Sequence, residues 1–227
     1  VNYMYYSKMA AERIYQYNPD AKIVICLRNP VERAISAFKY CIRNLSENET
    51  NFAKAIEREL EGNLIAEEEG DLAYLKHGNY VEQINDYLKY YPIENIHYLL
   101  FEELIKDQST KELNGLFDFF SISKNVEIDF THQNKSGKVK SGFLNYLLRK
   151  DYPLKGVRKL IPFKYRRRWG SLMRENNIST EEIDVSITNK DKQRLIDYYK
   201  DMIVEMESII NRKLGNKWCY KIHENTH

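Results

Sequence analysis

Residues 22–38 read KIVICLRNPVERAISAF, and this stretch constrains the fold more than any other. Ile23 to Leu27 is an unbroken apolar run, the pattern of a short strand covered on both faces. Arg28 stands where that strand ends. Pro30 suits the first turn of a helix, because its missing N–H would find no intrahelical partner there. Beyond it Val31, Ala34, Ile35, Phe38, Cys41 and Ile42 recur at helical spacing and form one apolar stripe, which predicts a helix to about Asn44. Asn29, Arg33, Ser36 and Tyr40 share another face. A strand, a tight arginine-bearing turn and a helix N-terminus suit an anion. Backbone N–H groups and the helix dipole favour negative charge, and arginine grips a phosphate through two parallel hydrogen bonds.

The order of elements around this unit is α/β. Ser7 is a candidate N-cap for a helix through Ala10, Ala11, Ile14 and Tyr15. A second helix is expected from Phe52 to about Glu69, with an acidic end at Glu67, Glu68, Glu69 and Asp71; that end reads as a solvated helix terminus, since no metal-ligand spacing accompanies it. Tyr80, Ile84, Tyr87, Leu88 and Tyr91 form the stripe of another helix, ended by Pro92. Ile96 to Phe101 is a second short apolar strand, and Ser109 caps a helix through Leu113, Leu116, Phe117 and Phe120. Thr188 and Asp191 have capping-box spacing and open a long helix, for which Gly215 is the expected stop.

Composition sets limits. The 227 residues are 43% hydrophobic, enough for one substantial core. A net charge of +2 does not resemble a polycation, and no nucleic-acid motif is present. Cys26, Cys41 and Cys219 are far apart and show neither a disulfide framework nor metal spacing; Cys26 and Cys41 lie on faces expected to be buried. No apolar run approaches a membrane span and no signal-peptide pattern is visible, so a reducing, cytoplasmic setting is expected. No linker or repeat divides the chain, so residues 1–227 read as one domain.

Leu27 to Ala34 with Ser36 resembles the 3′-phosphate-binding segment of sulfotransferases that use 3′-phosphoadenosine 5′-phosphosulfate (PAPS), and is most similar to the heparan-sulfate-type and related bacterial branch. The likeness extends to Tyr3 with Ala10–Ile14, to Gly78 and Tyr80, to Glu102–Leu104 and to the closing helix with Trp218. It implies a P-loop-NTPase-like α/β fold with a parallel central sheet flanked by helices and a helix-rich C-terminal half. It implies sulfuryl transfer from PAPS to a hydroxyl or amine of an acceptor such as a glycan, with no metal. Carried over by position, Arg28 and Ser36 hold the 3′-phosphate. Tyr80 would lie near the cofactor, though it reads equally well as core. The polar loop 131–141 contains Lys135, Gly137 and Lys138, which the resemblance makes cofactor contacts.

Lys155 to Arg168 carries seven cations and no carboxylate, a candidate dock for an anionic acceptor or surface. No residue stands out as catalytic base. Two strands are too few for the covered sheet that their apolar character calls for, so the chain is expected to lack the family's first βα elements, with the lysine loop for the 5′-phosphosulfate. Two other readings stay open. One is a nucleotide-binding or phosphotransferase module of similar geometry, although no G-x-x-x-x-G-K-[ST] motif is present. The other is a non-catalytic interaction domain on the same fold.

Overall fold

The structure, a computed structural model, describes residues 4–44, 46–62, 72–106, 110–123, 140–141, 177, 179, 183, 185–214 and 218. In chain order the elements are α1 (Ser7–Tyr17), β1 (Ile23–Leu27), α2 (Pro30–Arg43), α3 (Phe52–Leu60), α4 (Tyr80–Leu88), β2 (Ile96–Leu100), α5 (Phe101–Lys106), α6 (Thr110–Phe120) and α7 (Asn189–Ile210). A 3-10 turn, Lys76–Gly78, leads into α4, and another, Ile93–Asn95, precedes β2.

β1 and β2 pair in parallel, in register from Ile23 opposite Ile96 to Leu27 opposite Leu100. Parallel neighbours need a long crossover, and here α2, α3 and α4 supply it. Ile25, Leu27, Ile96, Tyr98 and Leu100 merge with Val31, Ala34 and Phe38 of α2, Ile84 and Tyr87 of α4, and Tyr199 and Ile203 of α7 in one core. Phe38 sits at its centre, 5.1 Å from the Phe52 ring and 5.6 Å from the Tyr74 ring. Each such fully buried large side chain contributes about 1.5–3 kcal/mol.

The sequence pattern holds over most of this frame. Pro30 opens α2, the Val31–Cys41 stripe is buried, and Thr188 with Asp191 forms a complete capping box on α7. Four expectations need correction. Ser7 does not cap α1; it lies inside the helix, and its hydroxyl donates to Asp86 Oδ2 at 2.7 Å, a buried partner stronger than a backbone amide at the helix end. α7 ends at Asn211, with φ 51°, and not at Gly215, because asparagine tolerates the left-handed conformation that a helix stop uses. The helix that opens at Phe52 ends at Leu60, short of Glu69, with Glu61 as its C-cap and Gly62 just beyond at φ 72°. The continuous apolar run of β1 is covered on one face only: Val24 and Cys26 are exposed, because α6 packs on that side over β2, where Phe119 stacks on His97 at 5.2 Å.

Glu67–Glu69 and Asp71, Ser109, Lys155 to Arg168, Gly215 and Cys219 lie outside the described residues. None of the described helices is long and apolar enough to cross a membrane.

Candidate functional site

The turn between β1 and α2 is built around Asn29, which is only 1% exposed. Its backbone N–H donates to Glu102 Oε1 at 2.6 Å and its Nδ2 donates to the Trp218 carbonyl at 3.2 Å. Its Oδ1 accepts from the amides of Val31 (2.9 Å) and Glu32 (3.4 Å). Asn29 is therefore the N-cap of α2, and every polar group of its side chain is engaged. This alters the expectation for anion binding. The first amides of α2 are already satisfied by Asn29, so an anion at this turn would be gripped by side chains.

Arg28 is the side chain in position. It is half-buried, and its guanidinium lies 5.2 Å from the centroid of the Phe101 ring, a favourable face for a cation. Among the described residues no carboxylate forms an ion pair with it. Glu102, the nearest candidate in chain order, is occupied by the Asn29 amide and by Trp218 Nε1 at 3.3 Å. The Arg28 carbonyl accepts from the Tyr80 hydroxyl at 2.9 Å. Tyr80 is buried, and its ring packs 6.2 Å from that of Trp218. Burial holds the Tyr80 phenol well above its ordinary value, so it serves as a neutral donor.

The backbone of Arg28 is thus fixed from both sides while its charged end stays available. A fixed main chain with a guanidinium that has no carboxylate partner among the described residues is a geometry suited to an anion. Ser36 lies exposed on α2, six residues beyond Pro30 and so about 9 Å along the helix axis. Arg33, on the same stripe, donates to the Tyr74 carbonyl. Lys135, Gly137 and Lys138 lie outside the described residues; of their loop, Lys140 is exposed and its amide donates to the Asn177 carbonyl at 2.7 Å.

The segment before α4 is clamped from several elements. Glu59 of α3 accepts from the amides of Leu75 (2.7 Å) and Lys76 (2.8 Å), and the Tyr199 hydroxyl donates to the Leu75 carbonyl at 2.9 Å. That hydroxyl explains Gly78: a Cβ there would fall 2.3 Å from it. Glu102 and Trp218 are the supports that sequence reasoning did not place. Glu102 lies two residues past the end of β2, and a carboxylate near the strand end was the available signal. Nothing local marks Trp218, 189 positions from its partner Asn29.

The fold superposes on the crystal structure of a sulfotransferase from Alicyclobacillus acidocaldarius with a TM-score of 0.65 and 22% sequence identity. The match covers 95% of this chain and 64% of that one, so the chain spans just under two thirds of its relative's length. At that identity the likeness speaks for the fold. Sequence speaks for the family: residues 7–147 match the family model described as the sulfotransferase domain, a stretch that takes in β1, the Arg28–Asn29 turn, α2 with Ser36, and β2 with Glu102. With more than half of its length accounted for in this way, the chain belongs to the sulfotransferase family.

Proposed function

We propose that the chain binds the nucleotide of PAPS through its 3′-phosphate and takes part in sulfuryl transfer to a hydroxyl or amine of a carbohydrate-containing acceptor. The observation that carries this reading is Arg28: a half-buried guanidinium at the end of β1, with a locked backbone and no carboxylate partner among the described residues. Left in that state, an arginine is costly to keep unless an anion meets it. Ser36 adds a hydroxyl donor on the exposed side of the following helix. Lys135 and Lys138, with Gly137 allowing close approach, are the residues to close over the nucleotide.

PAPS supplies an activated sulfuryl group, and the protein's part is to fix the nucleotide by its phosphate while an acceptor is presented. The Asn29–Glu102–Trp218 connection keeps the Arg28 turn from moving as charge is bound. A phosphotransferase reading has less support, since the sequence contains no G-x-x-x-x-G-K-[ST] loop.

The test is calorimetry with 3′-phosphoadenosine 5′-phosphate and with ATP. The 3′-phosphorylated ligand is expected to bind more tightly. Arg28→Ala is expected to weaken it ten- to a hundredfold, about 1.5–3 kcal/mol for a charge-assisted contact. Equal affinity for ATP, or unchanged affinity in a folded Arg28→Ala protein, sinks the reading.

A further inference from the structure

A cleft of about 870 Å³ lies where α1, α4 and α7 meet, within the roughly 300–1,000 Å³ of small-molecule sites. Tyr80 ties it to the Arg28 turn: its hydroxyl reaches the Arg28 carbonyl, and its neighbours Asn79 and Val81 line the cleft. One wall is aromatic. Tyr5 stacks on His77 with ring centroids 3.7 Å apart and planes inclined by 13°, and Tyr6 beside it is 60% exposed. Large exposed aromatic faces are costly to leave in water, and a tyrosine pairs an apolar face with a polar edge.

The cleft also has a polar lining, and it is built rather than incidental. Gln83 lines the cleft and is only 7% exposed. Its Nε2 donates to the carbonyls of His77 (3.3 Å) and Lys76 (3.5 Å), which fixes the amide. Its Oε1 has no partner among the described residues. A buried amide oxygen left without a donor costs about 1–3 kcal/mol, so the position favours a ligand that brings a hydroxyl or N–H. Four carboxylates also line the cleft: Glu82, Asp86, Asp201 and Glu205. Against them stand three ammonium groups, of which Lys89 is already bound to Asp86 at 2.6 Å. Acceptor-rich walls with a carboxylate excess repel a polyanion.

We infer that this cleft is the acceptor site for a neutral or amine-bearing carbohydrate and excludes sulfated or carboxylated glycans. A sugar ring lays its apolar C–H face on Tyr5 and Tyr6 and gives its hydroxyl and amine protons to Gln83 Oε1 and the carboxylates. The inference rests on the sulfuryl-transfer reading for its chemistry, but the binding of sugar does not depend on it.

The experiment is calorimetry on the full chain with three trisaccharides: a glucosamine trimer from chitosan, cellotriose, and a heparin-derived trisaccharide. Each is titrated with and without 3′-phosphoadenosine 5′-phosphate. The two uncharged or cationic sugars are expected to bind, with the heparin fragment at least tenfold weaker. Replacing both tyrosines (Tyr5→Ala with Tyr6→Ala) is expected to weaken sugar binding tenfold or more and to leave nucleotide affinity unchanged. Glu82→Gln, at an exposed position, is expected to weaken the glucosamine trimer and spare cellotriose. Absence of binding by every sugar, tighter binding of the heparin fragment, or unaltered sugar affinity in the tyrosine variant overturns the inference. If sugars bind as expected while the nucleotide does not, the cofactor reading fails and the sugar site stands.

Discussion

The two strands end side by side, Leu27 against Leu100, and the charged residues that gather at the two ends meet opposite fates. After β2, Glu103 and Glu112 are both paired with Arg212: Nη2 lies 2.5 Å from Glu103 Oε2 and 2.7 Å from Glu112 Oε1, and Glu112 also accepts from the Leu100 amide at 3.2 Å. After β1, Arg28 has a fixed backbone and no such carboxylate among the described residues. Charge closes the structure at one strand end and stays available at the other. The lesson is that buried charge is neutralised within the chain wherever its role is to hold the fold. An arginine exempt from that rule, on a backbone this firmly held, is where a ligand's charge is expected.

The sharpest break of this contrast is Arg212→Met. It takes the Arg212 guanidinium away from the nearly buried Glu112 and from its neighbour Glu103, and is expected to cost about 3 kcal/mol in urea unfolding, with the slope unchanged. Nucleotide affinity of the folded fraction is expected to stay as it was. Acid titration sharpens the point. Burial pushes the Glu112 carboxyl up, but the Arg212 hydrogen bonds and the Leu100 amide outweigh it and hold it below the ordinary carboxylate range. A lowered folded value gives stability that is complete above the unfolded value of about 4.3 and lost as pH falls through the folded one. In Arg212→Met the largest lowering influence is gone while burial still acts, so that part of the acid loss is expected to shrink or reverse sign. Parallel acid loss in both proteins would show that Glu112 is not neutralised by Arg212.

A smaller effect is expected from Glu102→Gln, which weakens the acceptor of the Asn29 amide and Trp218 Nε1. The stability loss is about 1–2 kcal/mol, and nucleotide affinity is expected to drop about fivefold because the Arg28 turn is less firmly held. Calorimetry and urea unfolding on one preparation separate the two; a stability loss without an affinity loss would mean that the support does not reach Arg28. The smallest effect belongs to Ser36→Ala. Ser36 is exposed, so stability is expected to change by less than about 0.5 kcal/mol, while nucleotide affinity falls by about 0.5–1 kcal/mol. An unchanged affinity removes Ser36 from the site.

Acid stability elsewhere in the core follows the paired pattern. Burial pushes Glu47 up, yet Arg58, the Glu49 amide and the Tyr74 hydroxyl hold it below the ordinary carboxylate value. Arg58 Nη2 stands 2.5 Å from it and the Tyr74 hydroxyl 3.0 Å. Like the end of β2, this is charge spent on holding α2, α3 and the segment before α4 together.

What the amino-acid sequence determined by itself is local. The β1 run, Pro30 at the start of α2, the buried stripe from Val31 to Cys41 and the Thr188–Asp191 box all depend on residues within a few turns of each other, where propensity, periodicity and capping decide. Arg28 and Ser36 stood out as a strand-end arginine and a serine on the next helix, and the phosphate role proposed for them rests on the family resemblance. Tertiary structure decided everything that needed a distant partner. That Asn29 caps α2 and so withdraws its amides from an anion follows from side-chain geometry that no spacing prescribes. That Arg28 stays free of Glu102 depends on an amide 73 positions from that carboxylate and an indole still farther along the chain. The open face of β1 and the cleft walled by Tyr5, His77 and Gln83 likewise exist only once α1, α4, α6 and α7 have packed. Hydrogen bonds and packing act over a few ångströms, whatever the separation in sequence, and only the folded chain brings such residues within that range.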